Sequence, residues 1–182
     1  MKTIKFLIPA LFSTLLFVSC SSDDDTPAPV NEEELITTLT VTLSDGGTPI
    51  TLTYQDLDGD GPNNPEITVS GDLANNTVYN GSIVLLNESV SPAEDITEEV
   101  EEESDEHQFF YTIGNGLNAT TAYTNFDTNG ENLGTTFTLT TGDASAGTLT
   151  FTLRHEPTKP NTGLADAGGE TDIETTFNVT IL

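Results

Sequence analysis

The chain has 182 residues, which is enough for one domain with its own core, and it carries 30 Asp plus Glu against four Lys plus Arg. The formal net charge at pH 7 is −26. Proteins bind phosphate groups through Lys and Arg, so this composition excludes nucleic acid as a partner. A surface this negative attracts cations instead.

The first nineteen residues predict an export signal. Lys2 and Lys5 precede an apolar stretch, residues 6–18, which is short for a membrane-spanning helix because such a helix needs roughly 20 apolar residues. The stretch ends in "LFVSC", which resembles the processing box of bacterial lipoproteins. We expect cleavage before Cys20 and attachment of a lipid to its thiol. The alternative is a secreted soluble protein in which Cys20 has no special role.

Cys20 is the only cysteine. The chain therefore has no disulfide, and once lipidated it offers no thiolate for metal binding or catalysis. Residues 20–34, "CSSDDDTPAPVNEEE", have the charge and proline content of a disordered linker, and we interpret them as a lipidated acidic tether. Loss of Lys2 and Lys5 with the signal leaves a mature net charge of about −28.

Residues 35–182 read as an all-β domain. Short runs in which Thr, Val, Ile and Phe alternate with polar residues are separated by Gly, Asn, Asp and Pro. The runs cover residues 35–43, 50–55, 66–71, 77–86, 107–113, 120–126, 135–141, 147–155 and 172–182. Each run has one apolar face that another sheet must cover, so the pattern predicts an antiparallel, immunoglobulin-like β-sandwich.

One acidic segment, "SPAEDITEEVEEESDEH" (91–107), interrupts the strand pattern. Ser91 and Glu94 form a capping box with Pro92 at the first helical position, and Ile96 and Val100 are one turn apart. These features predict a short acidic helix. An acidic loop or edge strand is the alternative, because Glu pairs four residues apart destabilise a helix.

The sequence "DLDGDG" predicts a calcium site. Asp56, Asp58 and Asp60 occupy positions one, three and five, and Gly61 occupies position six, as in the opening of a calcium loop. Glu66 lies one residue before the position where a helix-loop-helix site has its bidentate glutamate. The alternative is an Asp/Gly turn between two strands, which needs no ion.

The two histidines form a second candidate site. His107 follows Glu106, and His155 precedes Glu156. If their strands are neighbours, two imidazoles with adjacent carboxylates can bind zinc or another transition metal. The alternative is two unrelated histidines near strand ends. The long segment 156–172 is either a partner-binding loop or an unconstrained surface loop.

Several segments resemble a group of small flavobacterial (Bacteroidota) outer-membrane lipoproteins that often carry the label "type 1 periplasmic binding fold superfamily protein". The segments are "DLDGDGP", "NPEITVSGDLANNTVYNGSIVLLNE", "PAEDITEEVEEESDEHQFFY", "FTLTTGDASAGTLTFTLRHEPTKPN" and "GGETDIETTFNV". The resemblance, together with "CSSDDD", implies an outer-membrane lipoprotein displayed on the cell surface. It supplies no ligand and no catalytic residues. The two-lobed α/β fold in the label needs alternating helices, which this sequence lacks.

These observations together predict a non-enzymatic, surface-exposed binding module, held to the membrane by its lipid anchor. Its ligand would be a cation, a metal complex or a partner protein, and an outer-membrane transporter is the expected neighbour. One alternative is an adhesion or structural module stiffened by calcium. A further alternative is a hydrolase that uses carboxylates such as Glu106 and Glu156 as its acid and base.

Overall fold

The structure is a computed structural model that describes residues 34–59 and 61–182. The predicted signal peptide, Cys20 and the predicted tether up to residue 33 lie outside the described residues, as does Asp60. Neither helix of the described part is long or apolar enough to span a bilayer.

Two antiparallel sheets form the domain. The first contains β1 (Thr38–Ser44), β2 (Ile50–Gln55), β3 (Glu66–Val69), β4 (Val78–Asn87), β5 (Glu94–Asp95), β7 (Ala119–Tyr123) and β8 (Thr136–Thr141). Its strand order is β3-β2-β1-β4-β8-β7, with β5 paired to β4. The second contains β6 (His107–Gly114), β9 (Ser145–His155) and β10 (Glu170–Ile181), in the order β10-β9-β6. Two short helices, α1 (Ile96–Glu102) and α2 (Leu164–Ala167), complete the described part.

The core lies between the inward faces of the two sheets. Alternate residues of each strand are buried because successive side chains of a strand point to opposite faces. In β1 these are Leu39, Val41 and Leu43, and in β9 they include Phe151 and Leu153. The prediction of an antiparallel β-sandwich is confirmed, and each of the nine predicted strands is found with its ends within three residues of the prediction.

The acidic segment contains the predicted helix, but the helix begins later than predicted. Glu94 and Asp95 pair with Asn87 and Leu86 at the end of β4, so the chain is still extended there. The N-cap is Asp95, whose Oδ1 accepts the backbone N–H of Thr97 at 3.0 Å. The capping box at Ser91 is therefore wrong, because strand pairing holds the residues after Pro92 in an extended conformation.

The buried stripe of the helix agrees with the sequence pattern. Ile96 and Val100 are both buried and belong to the main core. Burial of two such side chains stabilises the fold by about 1.5–3 kcal/mol each, which outweighs the repulsion of a few tenths of a kcal/mol between exposed glutamates four apart. The carboxylates of α1 consequently lie above one end of the core.

Candidate metal centre

The two histidines are brought together by the pairing of β6 and β9. His107 is directly opposite His155 in this ladder, and the centroids of their rings are 4.6 Å apart. Both residues continue the inward-facing stripes that Phe109 and Leu153 begin, and their exposed fractions are 0% and 4%. The strands that carry the histidines are therefore neighbours, which is the condition that the sequence analysis set for a shared metal ion.

Asp172 joins the pair because β10 has a bulge at this residue. Thr171 is opposite Arg154 and Ile173 is opposite Leu153, so Asp172 is the extra residue between two ladder pairs. Regular alternation would turn Asp172 away from the face that buries Ile173. With the bulge, the carboxylate has an exposed fraction of 0% and lies 3.8 Å from His107 Nε2 and 3.7 Å from His155 Nδ1.

The hydrogen bonds of His107 leave one ring nitrogen directed at this carboxylate. Nδ1 lies 3.2 Å from the carbonyl oxygen of Glu103, so Nδ1 carries the proton and donates it there. Nε2 is buried and makes no hydrogen bond to the described residues. In metal sites the second ring nitrogen of a ligating histidine commonly donates to a backbone carbonyl in this way, which fixes the tautomer that binds metal.

The pKa of His107 is shifted in the direction that favours metal binding. Burial, reinforced by the neighbouring His155 and by Lys159, lowers this pKa to about 4, against the opposing hydrogen bond to Glu103. The imidazole is therefore neutral at neutral pH, and the neutral imidazole is the form that binds a metal ion.

His155 has one carboxylate on each side of its ring. Nδ1 faces Asp172, while Nε2 lies 3.9 Å from the Oε2 of Glu106, whose side chain is 53% exposed. With a metal ion on Nδ1, the Nε2–H group would point to Glu106, an arrangement that raises the basicity of the ligating nitrogen. Glu106, which the sequence placed with the histidines, therefore lies beside His155, but its carboxylate does not form a hydrogen bond with the ring in this structure.

The ligand atoms of His107, His155 and Asp172 all lie within 4.8 Å of one another. In a tetrahedral zinc site the ligand atoms are roughly 3.3 Å apart, given zinc–ligand bonds of about 2 Å. The three side chains thus need shifts of only about 1 Å to reach zinc geometry. A second group, formed by Glu34, Glu103 and His107, satisfies the same 4.8 Å limit and shares His107 with the first.

Glu156 does not take part in either group. Its side chain is exposed, and its backbone, with φ of 48°, donates its N–H to the carbonyl oxygen of Glu106 at 2.6 Å. The sequence placed Glu156 beside His155 because the two are adjacent in the chain. Adjacent residues of an extended chain point in opposite directions, and the turn that begins here carries this side chain to the surface.

The segment that follows Glu156 is held against the site and is not an unconstrained loop. The ammonium group of Lys159 donates to the carbonyl oxygens of Ser104 and His107, both at 2.7 Å, and to Asp127 Oδ2 at 3.1 Å. The side chains of Lys159 and Asp127 are 8% and 1% exposed. Lys159 thus fixes the backbone from which His107 projects.

The residues of the predicted calcium loop line a separate hollow. Asp56, Asp58 and Glu66 surround a space of about 240 Å³ together with Asn63 and other polar residues. Asp58 Oδ2 accepts a hydrogen bond from the side-chain amide of Asn63 at 2.7 Å. Asp60 lies outside the described residues, and in the described part Asp56, Asp58 and Glu66 do not form a three-ligand group. Calcium binding stays a prediction.

Sequence reasoning missed Asp172 and Glu34. Asp172 follows an alternation in which its side chain is expected on the outer face, and no sequence signal marks the bulge. Glu34 was assigned to the end of the tether. Comparison of the chain with family models, with curated proteins and with solved structures finds no match.

Proposed function

We propose that this protein is a non-enzymatic binding protein that holds a divalent transition metal of the zinc class between the two histidines. The observation that carries the proposal is the buried, neutral imidazole of His107. Its Nε2 is directed at Asp172, beside a second imidazole. Two imidazoles and a carboxylate are ligands that zinc and its neighbours in the first transition row prefer.

The burial of the site supports binding over catalysis. The rings of His107 and His155 are almost fully buried and lie against each other. A catalytic zinc needs an open coordination position that a substrate can reach, whereas a binding site is closed around its ion. We therefore propose that the ion itself, as free cation or as part of a metal complex, is the ligand.

The predicted lipid anchor indicates where in the cell the metal would be bound. We propose that Cys20 carries the lipid, that the domain is displayed on the outer surface of the outer membrane, and that a membrane transporter is a partner. The support is the segment from Lys2 to Cys20 and the acidic residues after it. A charge of about −28 on the mature chain would raise the local concentration of cations around the domain.

The test measures the melting temperature of the mature chain, residues 20–182, with Cys20→Ser so that no thiol competes for metal. Zinc at about 100 times its Kd should stabilise the native state by about 2.7 kcal/mol. This corresponds to a rise in Tm of roughly 5–10 °C for a chain of this size. Asp172→Asn should remove most of this rise, and Glu174→Gln, a matched change on the same strand, should retain it.

The absence of any zinc-dependent rise in the parent chain would refute the proposal. If zinc raises the Tm of the Asp172→Asn variant by the same amount, zinc does not bind at the site described here. Circular dichroism of each variant without metal separates loss of binding from loss of folding.

The calcium-stiffened adhesion module is a second candidate, supported by the hollow that Asp56, Asp58 and Glu66 line. Oxygen ligands of this kind suit calcium better than zinc. The same melting experiment with calcium tests this candidate, with magnesium as the control ion. Calcium should raise the Tm, magnesium should not, and Asp58→Asn should remove the effect of calcium. Equal effects of calcium and magnesium would count against it.

A further inference from the structure

The carboxylate of Glu34 lies against the same cluster as the histidines, although Glu34 comes from the other end of the chain. Resting on the function proposed above, we propose that Glu34 is a ligand of the same metal ion. The ion would then link the entry to β1, in the first sheet, to the three strands of the second sheet.

The geometry is the first support. Glu34, Glu103 and His107 each offer a ligand atom within 4.8 Å of the others, and His107 also belongs to the group with His155 and Asp172. The ring of His107 is 0% exposed, and its Nε2 makes no hydrogen bond to the described residues. The ring of His107 therefore belongs to both groups, with Glu34 and Glu103 in one and His155 and Asp172 in the other.

The local charge is the second support. Glu34 forms a hydrogen bond with the carboxyl group of Glu99, and the charges of Asp172 and Glu103 act on it as well. Negative charges this close repel one another, and a divalent cation among these carboxylates would reduce that repulsion.

The ligand types define the class of metal. Two imidazoles and two carboxylates supply four ligand atoms, the number of a tetrahedral zinc site. Calcium takes six to eight oxygen ligands and magnesium keeps much of its water, so neither fits a site with two nitrogens. The inferred ligand is thus Zn²⁺ or a first-row transition ion of similar preference.

A metal ion bound by Glu34 would hold the start of β1 in place, because Glu34 lies just before this strand. Two residues further on, Ile36 packs against the core, and Thr37 donates its backbone N–H to the carbonyl oxygen of Leu86 at 3.0 Å. In the bound state, the segment that leads from residue 33 into β1 would be fixed to the metal at Glu34. Metal binding would then stabilise the point at which the predicted tether meets the sandwich.

The experiment compares Glu34→Gln with Glu98→Gln, a matched change at an exposed position of α1, in the mature chain with Cys20→Ser. Zinc affinity is measured by competition with a chromophoric chelator. Glu34→Gln should raise the Kd for zinc at least about tenfold, whereas Glu98→Gln should change it less than about twofold. In the parent chain and in Glu98→Gln, zinc should slow hydrogen exchange of the amides of residues 35–37, and in Glu34→Gln it should not.

Unchanged zinc affinity in the Glu34→Gln variant, or zinc-independent exchange at residues 35–37 of the parent chain, would overturn this inference. If Asp172→Asn loses zinc while Glu34→Gln retains it, the proposed function stands and only the role of Glu34 falls. If the parent chain binds no zinc, both the proposed function and the role of Glu34 are refuted.

Discussion

Lys159 stabilises the backbone that carries the candidate metal site. Its ammonium group donates to two carbonyl oxygens, those of Ser104 and His107, and forms an ion pair with the buried Asp127. Asp127 also accepts the backbone N–H groups of Asn129 and Glu131, at 2.8 and 2.9 Å. The pair is buried, so loss of one partner leaves an uncompensated charge in a poorly solvated place.

We expect Lys159→Met to lower the free energy of unfolding by about 3 kcal/mol, because it leaves the Asp127 carboxylate buried without its partner. Urea denaturation at pH 7 measures this. The double variant Lys159→Met/Asp127→Asn is the control, and it should recover part of the loss because the unpaired charge is gone. A loss below about 0.5 kcal/mol for Lys159→Met would contradict the account.

Ionisation of Tyr111 is expected to lower the stability of the domain at alkaline pH. Its hydroxyl donates to the carbonyl oxygen of Gly134 inside the core. Burial, followed by the neighbouring Tyr123, raises the pKa of Tyr111 far above the usual 10. The unfolded chain therefore loses this proton first, and the stability that the neutral phenol contributes is complete below pH 10 and declines above it.

We expect Tyr111→Phe to be less stable than the parent by about 1 kcal/mol at pH 8, where it lacks one buried hydrogen bond. Above pH 10 the parent should lose up to about 1.4 kcal/mol per pH unit more than the variant, because only the parent ionises at this position on unfolding. The two stability curves, measured by urea denaturation from pH 8 to 11.5, should converge above pH 10 and cross before pH 11.5. Parallel curves would show that Tyr111 does not titrate as argued.

At the level of strands and helices, alternation made most of the fold predictable. A strand with one buried face shows its period in the sequence, and β2 has the predicted bounds, Ile50–Gln55. The two-residue β5 is too short to show any period. For α1, the sequence pattern placed the cap at Ser91, whereas the pairing of β5 with β4 keeps the chain extended up to the observed cap, Asp95.

The candidate site was predictable only where it follows from strand pairing. His107 and His155 lie at the same end of two adjacent strands, so their proximity could be stated as a condition. Asp172 could not be found, because its inward direction depends on a bulge that appears only when β10 is paired with β9. Glu34 could not be found because its contacts are with α1 and β6, which are distant in sequence.

We expect Asp95→Ala to lower the free energy of unfolding by about 1 kcal/mol, since its carboxylate accepts the Thr97 N–H at the start of α1. Ser91→Ala, which removes the cap suggested by the sequence, should change stability by less than about 0.3 kcal/mol. Thermal or urea unfolding of the two variants distinguishes the two starting points. The reverse order of effects would place the start of the helix at Ser91.

For the molecule as a whole, a chain with a formal net charge of −26 contains a sandwich with two buried imidazoles at one end. The proposed function assigns this combination to cation binding. Arg154 and Lys159 would be the only arginine and lysine left after the predicted cleavage before Cys20. The ammonium group of Lys159 is already bonded to Asp127 and to two carbonyl oxygens. In the described part, the charged groups beside the two histidine rings include the carboxylates of Asp172 and Glu106. A bound divalent ion would supply positive charge where the fold itself provides little.

The proposed ligand set also joins the two sheets. Glu34 leads into β1, which belongs to the first sheet, and His107, His155 and Asp172 belong to the three strands of the second. An ion shared by these residues would act as a cross-link between the layers of the sandwich. On a cell surface, such a link would make the domain more rigid where the predicted anchor holds it.

The central claim is tested most directly by the metal content of the full-length protein, purified after expression without chelators. We predict about one zinc-class ion per chain, and a content at background in the double variant His107→Ala/His155→Ala, provided that circular dichroism shows the variant to be folded. A parent chain with no transition metal above background, or a folded double variant that keeps the same content, would contradict the account.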